Sequence, residues 1–154
     1  MTRAPVMAVA GACLAIELSA AEPTRMTPAA EPFRATPAAE ADYMLNCMGC
    51  HLADGSGAEG KVPSMRESLA RLFASAAGRR YLVEVPGASQ SALSDLELAR
   101  VLNWMVRHLS ARPVPRDFAG FTAAEVARYR RFTLVDVRAT RARLLGAQAE
   151  HGGR

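Results

Sequence analysis

The stretch Cys47-Met48-Gly49-Cys50-His51 places two thiols three residues apart, with an imidazole directly after the second. Cysteines at that spacing serve thioredoxin-like redox sites, half of a zinc site, or the covalent attachment of a haem. The adjacent histidine is specific to the last of these. Each thiol adds to a haem vinyl group, and the imidazole binds the iron. No second C-x-x-C occurs, and no βαβ pattern of the kind a thioredoxin fold requires. Three cysteines in all exclude a disulfide framework and a zinc site with four cysteine ligands. The stretch therefore predicts one covalently attached haem c per chain, with His51 as the proximal iron ligand.

Working outward, the N-terminal side carries two segments that build no core. Residues 1–21 have a basic Arg3, then an Ala-rich apolar run ending in the small residues Ser19 and Ala21 before Glu22. This is the pattern of an export signal, in which Glu17 would be poorly placed in a bilayer. An uncleaved anchor and acylation at Cys13 remain as alternatives. Export puts the chain in the periplasm, where covalent haem attachment takes place in bacteria. The segment 22–40 takes in all but the first residue of a repeat, AEPTRMTPA (21–29) and AEPFRATPA (30–38), identical at seven of nine positions. Four prolines and almost no large apolar side chains make an extended linker.

On the other side the pattern is helical. Ala38–Asn46 leads into the cysteine stretch as a short helix. Ser64–Ala77 sets Met65, Leu69, Leu72, Phe73 and Ala76 on one face, with Gly78 as the expected stop. Val85-Pro86-Gly87 marks a turn. Ser94-Asp95-Leu96-Glu97 is a capping box opening a helix whose stripe is Leu98, Val101, Leu102, Met105 and Leu109. A second capping box, Thr122–Glu125, opens a short helix, and Val135–Ala149 reads as another. No strand pattern stands out, so the expected class is all-α. The expected division is residues 41–110 as the haem domain and 111–154 as a basic helical extension.

From about Ala38 to Leu109 the sequence resembles the class I c-type cytochromes, of the mitochondrial cytochrome c type. Tyr43 lies four residues before Cys47, where that family has an aromatic on its N-terminal helix. Trp104 falls at the aromatic of the closing helix, and LSDLELARVLNWM resembles that helix. The resemblance implies that the Tyr43 and Trp104 helices cross at this pair. It also implies that Pro63, twelve residues after His51, offers its carbonyl to the histidine's Nδ1–H, a bond that fixes the ring. One departure is marked. The family's distal methionine belongs in the loop ahead of the closing helix. Here that stretch, Tyr81–Ser91, contains no Met, His, Lys or Cys.

Met105 is then the leading candidate for a distal ligand, against its place on the apolar stripe, where plain core packing is the simpler reading. Met65 and His108 come next; the first reads as core and the second as surface. His151 lies in a Gly-rich tail, and Met44 and Met48 are too near the attachment site to reach the opposite face. An iron with no distal protein ligand stays open.

Beyond Leu109, residues 111–154 hold nine arginines against four acids, whereas Lys61 is the only lysine of the chain. Phe118, Phe121, Val126, Tyr129 and Phe132 give this part an apolar surface. A clamp on the haem domain is the favoured reading, and a docking element for an acidic redox partner is the other. The expected function is an exported monohaem electron carrier without catalysis of its own. It has no nucleic-acid role and reaches a membrane only through an N-terminal anchor. A haem-based gas binder or small haem enzyme with an open iron site is the main rival. A non-haem C-x-x-C redox protein is the other.

Overall fold

Pro37 suits a first helical position, since its missing N–H is one that a first turn leaves unbonded anyway. Helix α1 (Pro37–Asn46) opens there. The computed structural model describes residues 37–151, with side-chain surroundings for 38–146. The leader, Cys13, the repeat up to Thr36 and the side chain of His151 lie outside the described residues. On α1, Ala39 and Tyr43 sit four residues apart on one face and are both buried. They pack against α6 (Asp95–His108), where the Tyr43 and Trp104 rings lie 5.1 Å apart.

After α1 the cysteine stretch winds into a single turn, α2 (Met48–His51). Leu52 ends it at φ 58°, ψ 168°, a region that side chains other than glycine avoid. The Tyr43 hydroxyl donates to the Leu52 carbonyl at 2.5 Å and so ties that residue to α1. Gly57 follows at φ 76°, and a side chain there would run into the Val62 and Pro63 carbonyls. This glycine is required by close approach of backbone to backbone.

The helix expected over Ser64–Ala77 is divided. Arg66–Ser68 form a turn, then come α3 (Leu69–Phe73) and α4 (Ala76–Glu84). Ser75 is the cap of α4, its hydroxyl accepting from the Gly78 amide at 3.1 Å. Gly78, expected as a stop, is therefore buried in the first turn of α4. A side chain on it would collide with the Leu72 carbonyl, so α4 can fold back on α3 only with glycine there. Met65, Leu69, Leu72 and Phe73 are buried as expected, whereas Ala76 is exposed. Tyr81–Ser91, expected as a loop, is largely helical. It runs to the end of α4, breaks at Val85 and resumes as α5 (Pro86–Ser89).

The capping box of α6 is complete, with Ser94 Oγ accepting from the Glu97 amide and the Glu97 carboxylate accepting from the Ser94 amide. Its stripe from Leu98 to Leu109 is buried. The second box is only half formed. Thr122 caps α7 (Ala123–Tyr129), but the Glu125 carboxylate turns instead to Arg79, at 2.5 and 2.7 Å. α8 (Val137–His151) starts two residues later than expected because Asp136 accepts from the Ala139 amide.

Residues 111–145 close over the same core. Phe121 and Val126 are buried, and Phe121 meets Phe73 edge-on at 4.9 Å. Buried Asn103 exchanges two hydrogen bonds with the Phe121 backbone, at 2.6 and 3.0 Å. Arg130 donates to the Leu93 and Ser91 carbonyls and pairs with Asp95. This is a clamp in the physical sense: apolar surface on both sides, with its polar groups bonded across the joint. No strand occurs among the described residues, and the class is all-α. Among them, too, no helix is long and apolar enough to cross a membrane.

Candidate functional site

A cavity of about 330 Å³ opens beside α2, within the range of about 300–1,000 Å³ usual for small-molecule sites. Cys47, Cys50 and His51 all line it. They come together because α2 is one turn of helix, which sets residues three and four apart on a single face. Pro63, Met65 and Ser68 continue one wall, α6 contributes Leu98, Val101, Leu102 and Met105, and α3 contributes Leu69 and Leu72. α4 and α5 add Tyr81, Leu82, Val85 and Ala88, and α8 adds Val137 and Arg141.

The chemistry of the three key side chains follows from burial. Cys47 and Cys50 are free thiols. Burial, then the nearby Asp42 and Cys50, push the Cys47 thiol up to about 11. At neutral pH it is a protonated thiol, whereas thiol–disulfide exchange needs a thiolate. Burial also lowers the pKa of His51 below the usual imidazole value, which favours the neutral ring with a free lone pair. Its Nδ1 is buried and has no hydrogen-bond partner. The bond expected from Nδ1 to the Pro63 carbonyl is absent. That carbonyl lies against Gly57 instead, while Pro63 itself lines the cavity.

Both methionines line the cavity, and Met65 is tied to the segment that follows His51. The Met65 amide donates to the Gly55 carbonyl at 2.9 Å, and Gly57 donates to the His51 carbonyl at 3.2 Å. A side chain on Gly55 would meet Leu109 at 3.3 Å and the Met65 methyl at 3.6 Å. Met105 precedes Leu109 by one turn on the same stripe. The residues that α4, α5 and α8 give to the cavity include no Met, His, Cys or Lys. His108 is exposed, stacks on Trp104 at 5.0 Å and bonds through Nδ1 to the Trp104 carbonyl. Trp104 and Tyr43 do not line the cavity; they hold α1 against α6 beside it.

Two 108-residue matches bear on what this cavity holds. The chain is 31% identical to cytochrome c-552 of Thermus thermophilus, over 58% of this chain and 82% of that protein. It is also 31% identical to a second cytochrome c-552 of the same organism, over 58% of this chain and 73% of that one. The chain belongs to the c-type cytochromes. No protein-family model matches it.

Membership implies haem c, and the cavity of this cytochrome fits that group. Two thiols, a neutral imidazole and a mostly apolar lining are the donor set and the surroundings it needs. Among the described residues no group of three His, Cys, Asp or Glu side chains could hold a bare metal ion. Sequence reasoning missed Tyr81 and Arg141 as lining residues. Tyr81 was legible in principle: with Val85 and Ala88 it follows helical spacing within the stretch read as a loop. For Arg141 no local signal existed, because one arginine among nine on a basic segment reads as a solvated face.

Proposed function

We propose that this cytochrome carries single electrons between protein partners, with one haem held by thioethers from Cys47 and Cys50 and its iron bound by His51. The observation that carries this reading is the convergence of those three side chains on one mostly apolar cavity. Bound haem supplies a one-electron couple, while the chain binds, orients and buries it. α2 fixes the two attachment points, His51 offers a neutral nitrogen, and the apolar stripe of α6 keeps water out. The buried, protonated Cys47 thiol argues against the rival in which the dithiol itself is the redox group. Protein matured with the haem-attachment machinery should stay red after acid–acetone extraction, its mass raised by one haem. Cys47→Ala with Cys50→Ala should abolish both signs. A folded, matured but colourless wild type would overturn the reading.

A second reading, gas binding at an open iron face, is favoured by one observation. The residues that α4, α5 and α8 bring to the cavity include no ligand of the usual kinds. Carbon monoxide added to the reduced protein separates the cases. Fast binding in wild type, unchanged in Met105→Leu, supports the open face. Binding in the variant alone makes Met105 the distal ligand, as the sequence first suggested.

Export to the periplasm is supported by the leader pattern of residues 1–21, and N-terminal sequencing of matured protein tests it. An acidic redox partner is supported by arginines 112, 116, 131 and 143, all exposed. Electron transfer from such a partner should slow as salt rises, because exposed charges are screened over about 8–10 Å at physiological ionic strength. A rate indifferent to salt would remove that partner class.

A further inference from the structure

The haem cavity shares its rim with a second groove between residues 56–64 and α8. Lys61, Ser64 and Arg141 line both spaces, and the groove adds Arg138 and Glu59. The rim therefore carries three cations and one carboxylate. Arg141 is half-buried, and its Nη2 donates to the Ser64 carbonyl at 3.1 Å and to Ser68 Oγ at 2.9 Å. Ser68 is itself buried, so these bonds fix where the guanidinium sits. Both acceptors are neutral. Among the described residues, Lys61, Arg138 and Arg141 form no salt bridge.

A guanidinium held at the edge of an apolar cavity without a counter-charge is poorly compensated, because low-dielectric walls weaken its solvation and strengthen any charge brought beside it. The Nε and Nη1 hydrogens of Arg141, which the bonds to Ser64 and Ser68 do not use, can donate to carboxylate oxygens. The guest that suits this shape is an amphiphile: an apolar body in the cavity and carboxylates at its edge. Haem has that chemistry, with a ring and two propionates.

We infer that Arg141, with Arg138 and Lys61 beside it, is a carboxylate site that takes the haem propionates, so that α8 completes the cofactor site. This rests on the haem reading above. Arg141 is then a positioning residue supplied by the C-terminal extension, which gives α8 a role at the cofactor as well as in packing. The charged and titratable groups facing the site are Glu59 and Lys61 from residues 56–64, Tyr81 from α4 and Arg138 from α8, with His51, Cys47 and Cys50 also lining the cavity.

The test follows the reduction potential of the haem-loaded protein from about pH 5 to pH 8, above the ordinary carboxylate range. Beside Arg141 a propionate stays ionised throughout, and the wild-type potential is flat. In Arg141→Gln a propionate held there would lose its cation, its pKa would rise into this window, and the potential would fall as pH rises and negative charge appears near the iron. Arg141→Lys keeps the charge and restores the flat profile. A purely structural role would lower the thermal midpoint of Arg141→Gln without creating that slope. Should Arg141→Gln fail to mature, Lys61→Gln with Arg138→Gln is measured in its place, with a weaker slope expected. A haem-loaded variant that keeps the wild-type profile overturns this inference alone. A wild type without covalent haem overturns the function as well. Acetate added to wild type distinguishes a free carboxylate: a saturable change of potential, lost in Arg141→Gln, would assign the site to an external anion and overturn the propionate assignment.

Discussion

Leu52 follows the histidine at φ 58°, ψ 168°, and one hydroxyl holds it there. The region is close to glycine-only, and occupying it costs about 1–3 kcal/mol. Tyr43 supports it: burial, then the neighbouring Cys47 and Asp54, push the phenol up to about 12, so it stays a donor throughout the working range. Tyr43→Phe keeps the ring against Trp104 and loses only that bond. It should cost about 1 kcal/mol in chemical denaturation, and His51 should become easier to displace by added imidazole. Leu52→Gly should act in the opposite sense on stability. Relief of strain, less the larger entropy glycine loses on folding, leaves a gain of about 1 kcal/mol. A loss instead would mean that the Leu52 side chain, although half exposed, contributes more than its backbone costs.

Among the elements, α6 is the one whose start is most strongly specified. Ser94 and Glu97 bond reciprocally, and the hydrogen bonds from Ser94 hold the Glu97 carboxyl below its ordinary value of 4.5. A depressed carboxyl pKa stabilises the fold above the unfolded value, and that contribution is lost as pH falls through the folded one. Ser94→Ala should therefore lower the thermal midpoint at neutral pH. The gap from wild type should narrow as the solution is taken below pH 4.5. A gap that is constant down to about pH 3 would show that Glu97 draws no stability from the cap. α7 offers the contrast. Its Glu125 left the cap for Arg79, whose guanidinium also lies 4.1 Å over the Phe121 ring.

At the scale of the whole molecule, the extension and the haem cavity depend on one another. Phe73 lies under Phe118 and Phe121, Asn103 of α6 satisfies the Phe121 backbone, and the Leu134 amide bonds the Glu84 carbonyl at 2.7 Å. Asn103→Leu fills a similar volume but strands two buried backbone groups, and should cost about 2–3 kcal/mol in urea unfolding. Removal of residues 118–154 should do far more. It uncovers the faces of α3, α4 and α6 that Phe121 and Val126 bury, and the yield of helical, haem-loaded protein should collapse. A truncated chain that matures normally would separate the extension from the fold and return it to a docking role.

What the sequence by itself determined is local. Cys47, Cys50 and His51 fall on one turn because of their spacing, α6 begins where Ser94 and Glu97 can reach each other, and the apolar stripe names its own buried face. Each depends on groups within a few residues, where helix geometry leaves little freedom. The division of residues 64–77 at Ser75 and the escape of Glu125 to Arg79 were not legible. They turn on partners 46 residues away, or on the lack of room for a side chain at Gly78. The cavity wall is the extreme case. Tyr81 and Arg141 reach it from helices far apart in the chain, and Arg141 is held by Ser64 and Ser68, 77 and 73 residues away. Only the tertiary fold could bring that cation to the rim, because nothing in its own neighbourhood distinguishes it from the arginines that face water.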